Sequence, residues 1–332
     1  MRKGIFLMRI RAVALSAAAL LFGQALPATA GCTFEPKLDL PITMRGTRPI
    51  TPVKVNGAEL DFLVDSGAFF SVITPSKADA LKLKPAYARG DIGGVGGSRQ
   101  LQVADADSFS VGGRNLHDYQ FVLADGLGPG VDGVVGQNLL IAGDVDYDLA
   151  GGRVRVMLAK DCGDSPLAYW AVGKPYGVIA ATSGKLGAPH TEGMVYINGR
   201  QVRALFDTGA SLSILKLEAA RRLGLTPDMP GARDVGYARG VGPRAVRTWI
   251  VPVADFRIGD EAVRNTHLRI GDTAEGEFDM LLGADFFLSH HVLVAGRQRK
   301  LYFTYNGGPV FDLTNGVAAP ESAASDRGPA PR

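Results

Sequence analysis

Apolar and polar residues alternate on either side of two Asn-Gly pairs, Asn56-Gly57 and Asn198-Gly199. Period-two alternation broken by Asn-Gly is the strongest short-range hairpin signal, because a tight hairpin turn needs positive φ at both central positions. The pattern predicts strands flanking each pair and further strands at 70–73 and 212–215. Thr74-Pro75 then opens a short helix running to about Leu83, with Thr74 as N-cap and Pro75 at the first helical position. Its counterpart at 216–223 stops at Gly224, a residue suited to a helix C-terminus. Short helices are also expected after Gly136 and Gly283, and closing strands at 153–158 and 300–305. Both halves therefore read as mostly β.

The pattern repeats because the residues repeat. The segment from Val55 to Ala68 (VNGAELDFLVDSGA) returns from Ile197 to Ala210 (INGRQVRALFDTGA), 142 positions later. Gly94-Val95-Gly96 returns as Gly240-Val241-Gly242. Asp132-Gly133-Val134-Val135-Gly136 returns as Asp279-Met280-Leu281-Leu282-Gly283, now 147 positions later. Three matches in the same order, with a slow drift in offset, mark an internal duplication of domain size. The expected organisation is a signal segment at 1–30, one lobe at 31–160, a linker at 161–175, a second lobe at 176–312 and a disordered tail at 313–332.

Composition changes the picture mainly at the N-terminus. The chain carries 36 Lys+Arg against 33 Asp+Glu, a formal charge of +3. Arg2, Lys3, Arg9 and Arg11 lie within the first 30 residues, which hold no acid, so the rest is almost neutral. A nucleic-acid partner therefore finds no support in charge. The basic start, the apolar run 12–22 and Ala28-Thr29-Ala30 form the pattern of a secretory signal peptide. That run falls well short of the roughly 20 apolar residues needed to span a bilayer. Export to a periplasmic or extracellular space is the expectation. The 2 cysteines, Cys32 and Cys162, permit one disulfide in such a compartment. Thr29-Ala30-Gly31-Cys32 also resembles the end of a bacterial lipobox, although Thr29 stands where Leu is usual, so lipidation of Cys32 with membrane contact remains the rival reading.

The candidate chemistry lies in Asp65-Ser66-Gly67 and Asp207-Thr208-Gly209, each at the end of an apolar strand. One Asp per duplicated half points to two carboxylates meeting across a pseudo-twofold axis. Carboxylates about 3 Å apart cannot both ionise easily and share a proton. One can then act as base toward a water while the other donates to a carbonyl oxygen. That is hydrolysis of a peptide bond without a covalent intermediate.

With Ala68 and Ala210 next to these motifs, with Val134-Val135-Gly136 and Leu281-Leu282-Gly283 following each, and with Ser71 and Ser213 four residues after each Gly, the chain resembles the retropepsin-like aspartic proteases. The resemblance implies an acid-protease fold with two β-barrel-like lobes in one chain, and a catalytic pair of Asp65 and Asp207. It also implies that Ser66 and Thr208 bond across the pair and that Gly67 and Gly209 bring backbone N–H groups near the carboxylates. Gly94, Val95 and Gly96, and Gly240, Val241 and Gly242, would be flap tips closing over an extended peptide, with no cofactor or metal and with the protein acting as a monomer. Ala68 and Ala210 stand where pepsin-like enzymes usually carry Ser, which would raise the carboxyl pKa values and favour weakly acidic to neutral operation. Phe69 is bulky beside its counterpart Ser211, so unlike subsites are expected in the two lobes.

Other candidates read more simply. Asp144, Asp146 and Asp148 begin like a calcium loop, but Leu149 and Arg155 occupy the positions that need Gly and Glu, so they are expected to be strand and turn polar residues. His290-His291 lacks a third ligand at useful spacing. Tyr119, Tyr237 and Trp249 are packing or groove-wall aromatics. The different-class alternative is a non-catalytic envelope protein that binds an extended peptide in the same cleft.

Overall fold

A computed structural model describes residues 31–94, 97–182, 190–239, 245–273 and 277–313. The signal segment, Val95, Gly96 and Gly240, Val241 and Gly242 lie outside the described residues. The chain from Cys32 onward is one compact unit and mostly β. Among the described residues no helix is long and apolar enough to cross a membrane.

Each half closes six strands into a ring. In the first, Arg48–Val55 pairs with Ala58–Val64, which pairs in parallel with Gly133–Val135. Val72–Ile73, Arg114–Leu123 and Gly97–Val111 follow, and the last pairs back onto Arg48–Val55. The second half repeats this with Glu192–Ile197, Arg200–Phe206, Met280–Leu282, Ile214–Lys216, Glu261–Gly271 and Val246–Ile258, closed by the pairing of the last with the first. Closure removes the exposed edges that would otherwise invite aggregation. Both Asn-Gly hairpins have the positive φ their turns require, 48° and 82° at Asn56-Gly57 and 49° and 75° at Asn198-Gly199. Inside the first ring Phe62, Phe109 and Phe121 pack edge and tilt against one another, with Tyr119 on top. Phe206, Phe286 and Phe287 play the same part in the second.

Outside the rings, three strands from each half build one shared antiparallel sheet in the order Thr33–Pro41, Arg153–Lys160, Asp144–Asp148, His290–Ala295, Lys300–Tyr305, Gly177–Thr182. At its centre Asp146 lies opposite Leu293. These are repeat equivalents at the offset of 147, so the pseudo-twofold axis passes between them. Cys32 and Cys162 form a disulfide across 130 residues and pin the first strand of this sheet to the end of its neighbour. In the chain-entropy model such a loop adds about 4–5 kcal/mol of stability. With the Cys32 sulfur engaged, no thiol is left for a lipid.

Several local expectations need correction. The strand expected at 70–73 is only Val72–Ile73, because Phe69 and Phe70 stand in a loop, 37% and 52% exposed. Thr74 precedes the Pro75–Ala80 helix but its hydroxyl makes no cap, and it bonds Ser76 instead. The segment at 161–175 is more than a linker. It contains a turn of 3-10 helix, Tyr169–Ala171, and buries Leu167, Ala168 and Ala171 against Leu293, Ala295 and Tyr302 of the shared sheet.

Asp146 is a strand residue, as expected, and it is buried at the centre of the shared sheet. Its carboxylate is fully buried and accepts hydrogen bonds from Tyr169 Oη at 2.6 Å and from Arg155 Nε and Nη2 at 3.0 and 2.7 Å. His291 Nε2 bonds its other oxygen, and Trp170 stacks on the His291 ring at 4.0 Å. Burial alone would push this carboxyl up, but His291, Tyr169 and Arg155 outweigh it and hold Asp146 below its ordinary value. A carboxyl depressed on folding adds stability above its unfolded pKa and loses it as pH falls. Asp146→Asn is expected to cost about 2–4 kcal/mol at neutral pH, with the gap to wild type narrowing below about pH 4. Urea melts across pH measure both; a constant gap would contradict the charge argument.

Candidate active site

Each candidate Asp is placed by a parallel strand pair. In the first half Phe62, Leu63 and Val64 lie beside Gly133, Val134 and Val135, and the Asp65 N–H donates to the Val135 carbonyl at 3.1 Å. In the second, Ala204, Leu205 and Phe206 lie beside Met280, Leu281 and Leu282, and the Asp207 N–H donates to Leu282 at 2.9 Å. The apolar-apolar-Gly motifs are therefore the strands that set the height of each Asp. Their glycines are required by close approach: a Cβ on Gly136 would run into the Phe70 backbone, and one on Gly283 into the backbone of Ala210 and Leu212.

The loop after each Asp is tied down at one further point. Ser71 Oγ accepts from the Gly136 N–H at 3.2 Å and donates to Asn138 Oδ1 at 3.0 Å. Ser213 Oγ accepts from the Gly283 N–H at 2.9 Å and donates to Asp285 Oδ1 at 2.6 Å. Sequence reasoning noted Ser71 and Ser213 but gave no role to Asn138 and Asp285. Their shared position two residues after each motif glycine, carrying a side-chain oxygen in both halves, was the available signal. Gln137, whose Nε2 donates to the Ser66 carbonyl at 2.8 Å, was also missed; its repeat counterpart is Ala284, so the repeat pattern could not reveal it.

Ser66 and Thr208 meet between the halves, fully buried. The Ser66 N–H donates to Thr208 Oγ1 at 3.0 Å, and the Thr208 N–H donates to Ser66 Oγ at 2.9 Å. Ser66 Oγ then donates to the Phe206 carbonyl and Thr208 Oγ1 to the Val64 carbonyl, both at 2.8 Å. Within each turn Asp65 Oδ1 accepts from the N–H groups of Gly67 and Ala68 at 2.8 and 2.9 Å. Asp207 Oδ1 accepts from Gly209 and Ala210 at 2.9 and 3.1 Å. The Asp207 carboxyl lies against Gly67 and the Asp65 carboxyl against Gly209, so each acid abuts the turn that holds the other.

Burial pushes both carboxyls above the ordinary carboxylate range, and for Asp65 the neighbouring Asp207 adds to it. Burial is the leading cause, while the N–H groups of Gly67, Ala68, Gly209 and Ala210 act in the opposite sense and favour the charged form.

Gly94 ends the Pro85–Gly94 strand opposite Gly97, and Arg233–Ala238 pairs with Val246–Ile258, so each half has an antiparallel hairpin leading toward its glycine-rich segment. Tyr119 packs on Phe109 and accepts a hydrogen bond from Asn138 Nδ2, and Trp249 lies under the Arg247 guanidinium. His290 is buried and bonds Glu261 through Nε2.

Gly67 and Gly209 have ordinary backbone angles, yet a Cβ on Gly67 would overlap the Asp207 carboxyl and one on Gly209 the Asp65 carboxyl. Gly67→Ala and Gly209→Ala are each expected to destabilise by about 1–3 kcal/mol through overpacking. Chemical denaturation measures this, and unchanged midpoints would show that the carboxyls can separate freely.

A family model described as aspartyl protease matches residues 51–139 and 194–286, one match in each half. A search of curated proteins returned no match. The two matched segments cover more than half of the sequence and repeat the duplication seen in the strands. The chain belongs to the aspartyl protease family, as a retropepsin-like, two-lobed, single-chain member.

Proposed function

We propose that this protein is an aspartic endopeptidase that acts in the periplasm or outside the cell on an envelope protein, with Asp65 and Asp207 as its catalytic pair. The observation that supports the reading is the reciprocal Ser66–Thr208 bonding, which ties together the two turns that carry Asp65 and Asp207. The signal-like pattern of residues 1–30 and the Cys32–Cys162 disulfide support an oxidising destination.

The chemistry follows from one shared proton. The ionised carboxyl takes a proton from water as the water oxygen attacks the scissile carbonyl carbon. The protonated carboxyl donates to the carbonyl oxygen, giving a neutral tetrahedral diol. Collapse of the diol returns a proton to the amide nitrogen, the C–N bond breaks, and the pair recovers its single proton. No bond to the protein forms and no cofactor is used. An extended peptide is the substrate shape that the paired hairpins can accept as an added strand. The near-neutral body fits recognition by backbone and apolar contacts, with the protein working as a monomer.

Asp65→Asn and Asp207→Asn are each expected to lower cleavage of a denatured protein or peptide library by about a hundredfold or more. Variants that behave like wild type would favour a non-catalytic peptide binder. Comparing N-termini in wild-type and variant cells then identifies the substrate. Because burial raises both carboxyls, turnover is expected at weakly acidic to neutral pH; a profile peaking at about pH 2–3, as a low-pKa pair would give, contradicts this.

A second outcome needs no substrate. A carboxyl raised on folding supports stability below its unfolded pKa and costs stability as pH rises through its folded pKa. Both Asn variants should therefore melt higher than wild type at neutral pH, with the difference vanishing below about pH 4. Thermal unfolding at the two pH values measures it.

A further inference from the structure

His190 lies just before the Glu192–Ile197 strand of the second half and reaches across to the first. Its Nε2 is 2.7 Å from the Gly67 carbonyl oxygen, so this nitrogen is the donor. Its ring packs on Phe69 with centroids 4.2 Å apart. Gly67 is the residue whose N–H donates to Asp65 and whose Cα abuts the Asp207 carboxyl. His190 thus holds the carbonyl of one of the two glycines, Gly67 and Gly209, that each lie against both acids. The repeat offset of 142 makes Arg48 its counterpart, yet the Arg48 guanidinium donates to the Pro129 carbonyl at 3.0 Å. Among the described residues the contact exists on one side of the pseudo-twofold axis.

We propose that His190 is a positioning residue for the reaction assigned above: it clamps Gly67 between the two carboxyls and, as imidazolium, sets a cation beside Asp207 that Arg48 does not supply to Asp65. The charged groups facing the ring are Asp207 and, on the adjoining strand, Glu192. Burial pushes the imidazole below its usual value, while the Gly67 carbonyl, Asp207 and Glu192 pull it back up. Neutral near pH 7, the ring becomes charged on acidification. The cation then favours the ionised form of Asp207 and leaves the shared proton on Asp65. It also lets the singly protonated pair survive to lower pH. The geometry of His190 stands by itself, but its role in turnover rests on the proteolytic reading.

The first test reads the ring itself. Imidazole nitrogen NMR, with the His190 signals assigned from His190→Gln, follows its titration in wild type, Asp65→Asn and Asp207→Asn. The His190 midpoint is expected to fall by about half a pH unit or more in Asp207→Asn and not to fall in Asp65→Asn. Equal midpoints in all three would overturn the proposal. The second test reads turnover. His190→Gln keeps a donor for Gly67 but no charge, so its kcat/KM profile should move on the acid side only, upward by about one pH unit. His190→Leu loses the donor too and should add a fall in rate at the optimum of about tenfold. A uniform fall across pH in His190→Gln, with no moved limb, would also overturn the proposal. If Asp65→Asn and Asp207→Asn cleave as wild type does, the proteolytic reading fails, and the NMR titration still decides whether His190 is coupled to Asp207.

Discussion

Ser66 and Thr208 each give a backbone N–H to the other's hydroxyl, and each hydroxyl passes its proton to the carbonyl that precedes the opposing Asp. Four buried hydrogen bonds contribute about 1 kcal/mol each, so the lattice is modest in energy. Its importance is geometric. Each bond starts within one residue of a carboxyl, so neither Asp can retreat without breaking bonds that no water could replace. The same confinement raises both carboxyls above their ordinary range. The glycines beside each Asp follow from this constraint, since the space a Cβ would need is filled by the other half's carboxyl.

The latch works only if the halves cannot slide, and the shared sheet supplies that rigidity at the opposite side of the chain's duplication. Its central strands, Asp144–Asp148 and His290–Ala295, come from different halves and pair residue for residue at the pseudo-twofold axis. The disulfide pins its first strand, and the 161–175 segment packs on its face. The segment covers polar groups as well as apolar ones: Tyr169 and Trp170 hold Asp146 and His291, and Trp170 donates to Thr304 at 2.9 Å. A segment that looked like a connection thus locks the sheet that holds the two Asp turns in register.

What the sequence disclosed was whatever the two copies share. Asp65 and Asp207, Ser66 and Thr208, the two Asn-Gly hairpins and the two apolar-apolar-Gly strands announce themselves by recurring, and a recurring residue points to a recurring environment. What it hid falls into two kinds. Asn138 and Asp285 recur in position but not in identity, so only a search by chemical role would pair them. Gln137, Asp146 and His190 have no chemical counterpart in the other copy, and each has a partner about 70 to 145 residues away in the chain. Nothing local marks them: Asp146 sits in an alternation of acids that reads as surface, and its burial depends on Arg155, Tyr169 and His291 arriving together. Phe70 misled in the opposite way, because an apolar residue there suggests the start of a buried strand while the loop after Asp65 leaves it exposed.

The unshared residues also explain what a fused chain can do that a pair of identical chains cannot. In a symmetric dimer, a residue on the axis faces its own copy. A buried Asp at position 146 would then oppose a second buried Asp across the central strands. Fusion places Leu293 there instead, so one charge can be buried with a full set of partners and its image can be apolar. The same freedom lets His190 serve one Asp turn while Arg48, its counterpart, is spent on the Pro129 carbonyl. It also lets Gln137 brace Ser66 where Ala284 leaves Thr208 without such a brace. The motifs that hold the carboxyls together stay twofold because each half must meet the other on equal terms. The residues around them have departed from that symmetry, so the two acids have unequal surroundings.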